Sequence, residues 1–189
     1  MNNSNYLRRR KGYRMQQVLV LSDSHGLTRT MEQVKSHHKV DAIIHCGDSE
    51  LDANHALLTD MTVVRGNCDR ETSFSEETIL EINNHRFFVT HGHLYGVKLS
   101  LLQLQYRAEE VGANVVLFGH SHIPYCEQFD ELLLINPGSI RQPRGGITVR
   151  SYVLLTLDGN NIQVDFYTID GQILENFPTS QTKRTYGFT

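Results

Sequence analysis

Five short apolar runs punctuate the first two thirds of the chain. They are Val18-Leu19-Val20-Leu21, Ala42-Ile43-Ile44, Met61-Thr62-Val63-Val64, Phe87-Phe88-Val89 and Val115-Val116-Leu117-Phe118. Runs this short, rich in Val and Ile and without polar alternation, predict strands buried on both faces. Two helical periods lie among them. Leu27, Met31, Val34 and His38 recur at i, i+4, i+7 and i+11, and Val97, Leu101, Leu104, Ala108 and Val111 continue the same spacing. Each predicts an amphipathic helix with one face on a sheet, the second stopped by Gly112. Alternation of strand and helix through residue 118 predicts βαβ units with right-handed crossovers.

After His122 the pattern changes. Residues 125–129, 132–135, 151–157 and 162–169 read as strands, joined in pairs by the turn-like Asp130-Glu131 and Asp158-Gly159-Asn160-Asn161. With no helix between them, these strands are expected to pair antiparallel. The expected product is an α/β fold of two mixed sheets face to face with helices outside. The expected domain spans residues 15–172, preceded by a basic, disordered extension over 1–14 and followed by a C-terminal tail over 173–189.

Composition narrows the function classes. The chain has 189 residues, 39% hydrophobic and 21% charged, ordinary for one globular domain. No apolar run approaches the roughly 18 residues that span a membrane, and none follows the basic cluster Arg8-Arg9-Arg10-Lys11 as a signal peptide would require. Cys46, Cys68 and Cys126 show no paired spacing, so a reducing cytoplasmic location is expected. Net charge is −3; residues 1–14 carry +5, which leaves −8 on the rest. An acidic body disfavours nucleic acid as a partner.

Each apolar run is followed by residue types that bind metals. The blocks are Asp23-Ser24-His25, Gly47-Asp48, Gly66-Asn67-Cys68-Asp69, His91-Gly92-His93 and Gly119-His120-Ser121-His122. Ligands of α/β sheets bind at the carboxyl ends of strands. Carboxylate, imidazole and amide donors without a thiolate cluster suit hard or borderline divalent ions, and there are enough for two. A lone Asp-x-His is more often a cap and a surface histidine, and a lone Gly-Asn is more often a turn. Five blocks in succession, holding five of the ten histidines, outweigh those bland readings. His37, His38, His55 and His85 are read as surface positions, and His45 as packed or hydrogen-bonded. Arg141 and Arg144 follow the turn Asn136-Pro137-Gly138-Ser139, where arginine would suit a phosphate.

The order D-x-H, GD, GNxD, HGH, GHxH resembles the calcineurin-like metallophosphoesterase superfamily. The Gly66-Asn67-Cys68-Asp69 block, Thr90-His91-Gly92-His93 and Ile135-Asn136-Pro137-Gly138-Ser139 are similar to its small prokaryotic phosphodiesterase branch. The resemblance runs from about Val18 to Ser139. It implies a four-layer α/β/β/α sandwich with a dinuclear site, commonly filled by manganese, though nickel, iron, zinc and magnesium suit the same donors. It implies that Asp23, His25 and His122 hold one ion, that Asn67, His91 and His120 hold the other, and that Asp48 bridges them.

The expected activity is hydrolysis of small phosphodiesters by in-line attack of a metal-bridging hydroxide, with Asp48, Asn67 and His93 as catalytic candidates. His93 would neutralise charge on the phosphoryl oxygens or make a structural hydrogen bond. One position departs from many superfamily members: Cys68 stands where they carry a histidine assigned to the leaving group. A thiol is a poor substitute for imidazole, so good leaving groups should be preferred. As a nucleophile Cys68 is disfavoured, because its neighbour Asp69 is an acid rather than a base or cation. The alternative is a phosphoesterase-fold scaffold for protein partners, as in the small subunit of the retromer coat. The intact Asp23, His25 and Asp48 favour the enzyme, since unpaired acids in a crevice repel. The natural substrate and oligomeric state are left open, a homodimer included.

Overall fold

The computed structural model describes residues 14–146, 148–175 and 185–188. Of the basic extension over residues 1–14, residues 1–13 lie outside them. Eleven strands and two α-helices are described: β1 (Gln16–Leu21), α1 (Thr28–Ser36), β2 (Ala42–His45), β3 (Met61–Val63), β4 (Glu77–Ile82), β5 (His85–Thr90), α2 (Leu102–Glu110), β6 (Val115–Leu117), β7 (Tyr125–Phe129), β8 (Leu132–Asn136), β9 (Ser151–Asp158), β10 (Asn161–Thr168) and β11 (Thr185–Gly187). They form two mixed sheets, ordered β11-β10-β9-β1-β2-β3 and β4-β5-β6-β8-β7.

The two-residue period of each strand sorts its side chains into layers. Val18 and Val20 face the second sheet, with Phe87, Val89, Val115, Leu117, Leu133 and Ile135 opposite, in one shared core. Leu19 and Leu21 point the other way, onto Met31 and Val34 of α1. Phe88, Val116, Leu132 and Leu134 point outward onto Leu104 and Ala108 of α2. The continuous apolar runs therefore feed two cores each, and the result is the four-layer α/β/β/α sandwich expected from the sequence.

β1, β2 and β3 are parallel, as are β5, β6 and β8. The hairpins β7–β8 and β9–β10 are antiparallel, as the missing helices predicted. β9 crosses to the first sheet and pairs antiparallel with β1. Gly112, at φ 67°, closes α2: its N–H donates to the Glu109 carbonyl (3.0 Å) and that of Ala113 to Ala108 (2.9 Å), which is a Schellman stop. Val97 and Leu101, read as helical, precede α2: residues 96–99 form a turn and Leu101 is the N-cap residue.

Three further features differ from the sequence reading. The edge strand β4 pairs with β5 and was not anticipated, because Glu77 and Glu81 dilute its apolar signal. In the stretch read as a tail, Thr185–Gly187 pairs with β10 and buries Tyr186. Three residues are too few to show a period. His85 is buried rather than at the surface. It shares its parity on β5 with Phe87 and Val89, so the pleat turns it inward. There Nε2 meets the Gly159 carbonyl (3.1 Å) and Nδ1 meets the Asn114 amide (3.0 Å). Among the described residues, no helix is long and apolar enough to cross a membrane.

Candidate metal centre

The five blocks meet at one end of the sandwich, past the carboxyl ends of β1, β2, β3, β5 and β6. The β1 and β2 loops run side by side beyond their strands: the N–H of Asp23 donates to Gly47 (3.0 Å), that of His25 to Asp48 (2.9 Å) and that of Gly26 to Ser49 (2.9 Å). The backbone turns sharply to do this. Asp23, His25, Asp48, Glu50, His120 and His122 all have φ between 43° and 65°. Left-handed conformations in non-glycine residues are costly, and they gather where a site demands them. Five of these six residues are candidate ligands.

The histidine rings are oriented by their outer nitrogens. Nδ1 of His91 lies 2.7 Å from the Cys46 carbonyl, and Nδ1 of His122 lies 2.7 Å from that of Gln142. A carbonyl only accepts, so both Nδ1 atoms carry a proton, and in the neutral ring Nε2 presents its lone pair. His25 Nδ1 is 2.7 Å from the Glu50 carboxylate, which sets the same tautomer. These are the arrangements that orient histidine ligands.

In that neutral form the inward atoms are acceptors facing acceptors. His122 Nε2 is 3.0 Å from Asp23 Oδ1, His91 Nε2 is 3.3 Å from Asp48 Oδ2, and His25 Nε2 is 3.5 Å from His122 Nε2. Asp23 Oδ1 also has His25 Nε2 at 3.9 Å and His91 Nε2 at 4.0 Å. Both Asp23 Oδ1 and His91 Nε2 are buried with no hydrogen-bond partner. Buried polar atoms are rarely left so, and a cation among them would satisfy all of these lone pairs at once. The donors fit a divalent ion on this ground. Two groups hold their donor atoms within 4.8 Å of one another, Asp23 with His25 and His122, and Asp23 with Asp48 and His91; a third joins His25, Asp48 and Cys68.

Where no cation fills these gaps, a proton does: against its burial, Asp48 and Asp23 raise the pKa of His91, and a charged ring in turn lowers the carboxyls. Burial works to raise the Asp23 carboxyl, but His122, His91 and Ser22 overcome it and hold the group below the usual carboxylate range. Asp48 is likewise driven well down, its burial outweighed by His91 and by the Cys68 backbone N–H. Burial, with His91 and Lys98 nearby, presses His120 down to about 4. It is neutral at pH 7, as a ligand must be.

A residue the sequence reading did not single out ties the loops together. The buried Asp69 carboxylate accepts the N–H groups of Asp48 (2.8 Å), Gly66 (2.7 Å) and Glu50 (2.7 Å) and the Ser49 hydroxyl (3.1 Å). In return Asp48 Oδ1 accepts the Cys68 N–H at 2.7 Å. This close approach explains Gly66, where a Cβ would overlap Asp48 Oδ1. Gly119 has the same role against Ser22 Oγ and Asp23 Oδ2. The available signal was the fourth position of the Gly66–Asp69 block. His45 is buried and hydrogen-bonded, with Ser24 Oγ at 2.9 Å from Nε2.

The remaining candidates sit around the cluster. The His120 ring lies 5.1 Å from that of His91, and its backbone N–H donates to Asp23 Oδ2. Asn67 is exposed beside the cluster, with Nδ2 3.2 Å from Cys68 Sγ. His93 flanks His91 and His120 at 5.4 and 6.1 Å between ring centroids, outside the clustered donor groups. Burial and the Asp48 carboxylate push the Cys68 thiol up to about 11, which removes it as a nucleophile at neutral pH. The site opens into a cleft of about 330 Å³, lined by His25, Asp48, Asn67, Cys68, His120 and His122 together with Glu50, Lys98, Arg141, Gln142 and Arg144. Lys98 and Glu50 carried no signal in the sequence patterns.

The family model for the calcineurin-like phosphoesterase superfamily domain matches residues 16–160. The chain is 46% identical over 167 residues to YsnB of Bacillus subtilis, a probable metallophosphoesterase, covering 87% of this chain and 98% of that one. It is 37% identical over 105 residues to the Escherichia coli phosphodiesterase YfcE, covering 50% and 52%. Among solved structures, a conserved Streptococcus pneumoniae protein described as a predicted phosphoesterase superposes with a TM-score of 0.83 at 36% identity, covering 88% and 97%. Vps29 of Entamoeba histolytica, solved with zinc, superposes with a TM-score of 0.68 at 19% identity over 84% and 96%, a likeness of fold alone.

Proposed function

The chain belongs to the calcineurin-like phosphoesterase superfamily, and from that premise we propose that it is a metal-dependent phosphodiesterase acting on small phosphodiesters with two divalent ions. The observation that carries this reading is the set of opposed, buried lone pairs on Asp23, His91, His122 and Asp48. Asp23, His25 and His122 would hold one ion and Asn67, His91 and His120 the other, with Asp48 between them. Manganese is the first choice of metal; nickel, iron, zinc and magnesium suit the same donors. When bound, such ions supply a water of lowered pKa and neutralise developing charge on the phosphoryl oxygens.

The chain's own residues set the rest. Asp48 stays anionic across the neutral range, so it positions rather than shuttles protons. Its place against the Cys68 N–H and the Asp69 clasp fixes it to within hydrogen-bond tolerance. Asn67 offers an uncharged amide to the phosphoryl group or the second ion. His93, half-buried beside His91, is neutral because burial and His91 lower its pKa, and it can donate a hydrogen bond to a phosphoryl oxygen. At position 68 a thiol near 11 is a weak acid for the departing oxygen. The diester preference is supported by the name of the phosphodiesterase relative.

A scaffold role is the second reading, favoured only by the fold likeness to Vps29. It does not account for five candidate ligands in left-handed backbone conformations around unsatisfied lone pairs. The test is hydrolysis of bis-p-nitrophenyl phosphate and of p-nitrophenyl phosphate by metal-stripped protein with added manganese. Manganese-dependent diester turnover, lost in Asp48→Ala, is the expected result. No turnover with manganese, nickel or zinc would turn the assignment to the scaffold.

A further inference from the structure

Three cations line the cleft, and each is tied to a different candidate ligand. Lys98 lines the cleft with His120, Arg141 donates from Nη1 to the His25 carbonyl, and the Arg144 backbone N–H donates to the His122 carbonyl at 3.1 Å. Among the described residues, the lysine and arginine ion pairs use Arg14, Lys35, Arg65, Arg86 and Arg107. Lys98, Arg141 and Arg144 have no carboxylate partner within those pairs. All three are exposed, so solvation alone would suffice for each singly. Together they converge on one cleft.

Asp23, Asp48, Glu50 and the buried Asp69 carry four negative charges at the site, of which the three cations cancel three. Two divalent ions would then leave three positive charges uncompensated in a cleft of about 330 Å³. A simple diester is a monoanion and offsets one of them. A diester that also bears a terminal phosphate offsets up to three. Clefts lined by one sign of charge concentrate the opposite sign, and arginine suits phosphate oxygens through its forked donors. We infer that the substrate is a small phosphodiester carrying a second, terminal phosphate, held by Lys98, Arg141 and Arg144. This rests on the phosphodiesterase reading above.

The test uses a matched pair, thymidine 5′-(p-nitrophenyl phosphate) with a 3′-hydroxyl or a 3′-phosphate, at fixed ionic strength with manganese-loaded full-length chain. Scissile bond and leaving group are identical, so only the second phosphate differs. The expected kcat/KM ratio favours the 3′-phosphorylated ester by about tenfold or more, the worth of one or two charge-assisted hydrogen bonds. The ratio falls to within about threefold in the double variant Lys98→Gln, Arg144→Gln. Calorimetric binding of thymidine 3′,5′-bisphosphate against the 5′-monophosphate should show the same preference and the same loss. Equal turnover of both esters by the wild type, or a ratio unmoved in the double variant, overturns this inference alone. Absence of turnover with either ester removes the premise as well.

Discussion

Replacing Asp69 by asparagine tests whether one buried carboxylate holds the β2 and β3 loops in register. Asp69 is 5% exposed and accepts four hydrogen bonds, two at each oxygen. Asparagine keeps the shape but offers one acceptor atom. Its better orientation puts the carbonyl at Oδ2, where it keeps the Asp48 and Gly66 N–H groups. The amide NH2 then faces the Glu50 N–H, while the Ser49 hydroxyl can rotate to accept. One backbone N–H is orphaned, at about 1–3 kcal/mol, and two retained bonds lose their charge, at about 1 kcal/mol each. The expected loss is about 3–5 kcal/mol, a large part of the roughly 5–15 kcal/mol that a domain holds. Asp69→Ala orphans all three N–H groups and should lose more. Urea unfolding at pH 7, followed by far-ultraviolet circular dichroism, reads this as a lower midpoint at unchanged slope. Manganese titration of the folded variant should show weaker binding, because Asp48 loses its anchor. A loss below about 1 kcal/mol with intact metal affinity would refute the clasp.

The other predictions concern pH, metal and the odd cysteine. Burial presses His45 down to about 4, against roughly 6.5 in an unfolded chain. The unfolded state therefore takes the proton first, so stability falls as pH drops from about 6.5 towards 4, by at most about 3 kcal/mol from this group. His45→Gln should flatten the urea midpoint between pH 7 and 5; an unchanged slope would reject the assignment. Manganese at about a hundredfold over its dissociation constant should raise the unfolding free energy by about 2.7 kcal/mol, reversibly with a chelator. A melting temperature indifferent to divalent ions would count against the centre. Cys68→Ser should change diester turnover by less than about threefold, since a thiol near 11 contributes little acid or nucleophile at neutral pH. Across aryl diesters the wild-type rate should fall steeply as leaving-group pKa rises, and a flat dependence would show proton donation from elsewhere.

The seven candidate ligands were legible because each lies just past an apolar run, and an apolar run is a local signal. The layers were legible for the same reason: Val18 and Leu19 are both apolar because each faces a core. β4 was missed because an edge strand buries one face and carries charge on the other. β11 was missed because three residues have no period. His85 was misplaced because polarity suggests surface, while pleat parity puts it with Phe87 and Val89.

From the sequence alone followed the fold class, the strand ends and the donor types that gather there, since these depend on composition and short-range periodicity. Only the tertiary structure decided how the donors face one another. His122 Nε2 meets Asp23 Oδ1 across 99 positions of chain, and Asp69 reaches back to Asp48 and Glu50 from a different strand end. The Glu50 contact to His25 and the placing of Lys98, Arg141 and Arg144 around one cleft are of the same kind. Hydrogen bonds and lone-pair repulsion act over a few ångströms, so they are set by which loops the two sheets bring together, and no local pattern in the chain records that.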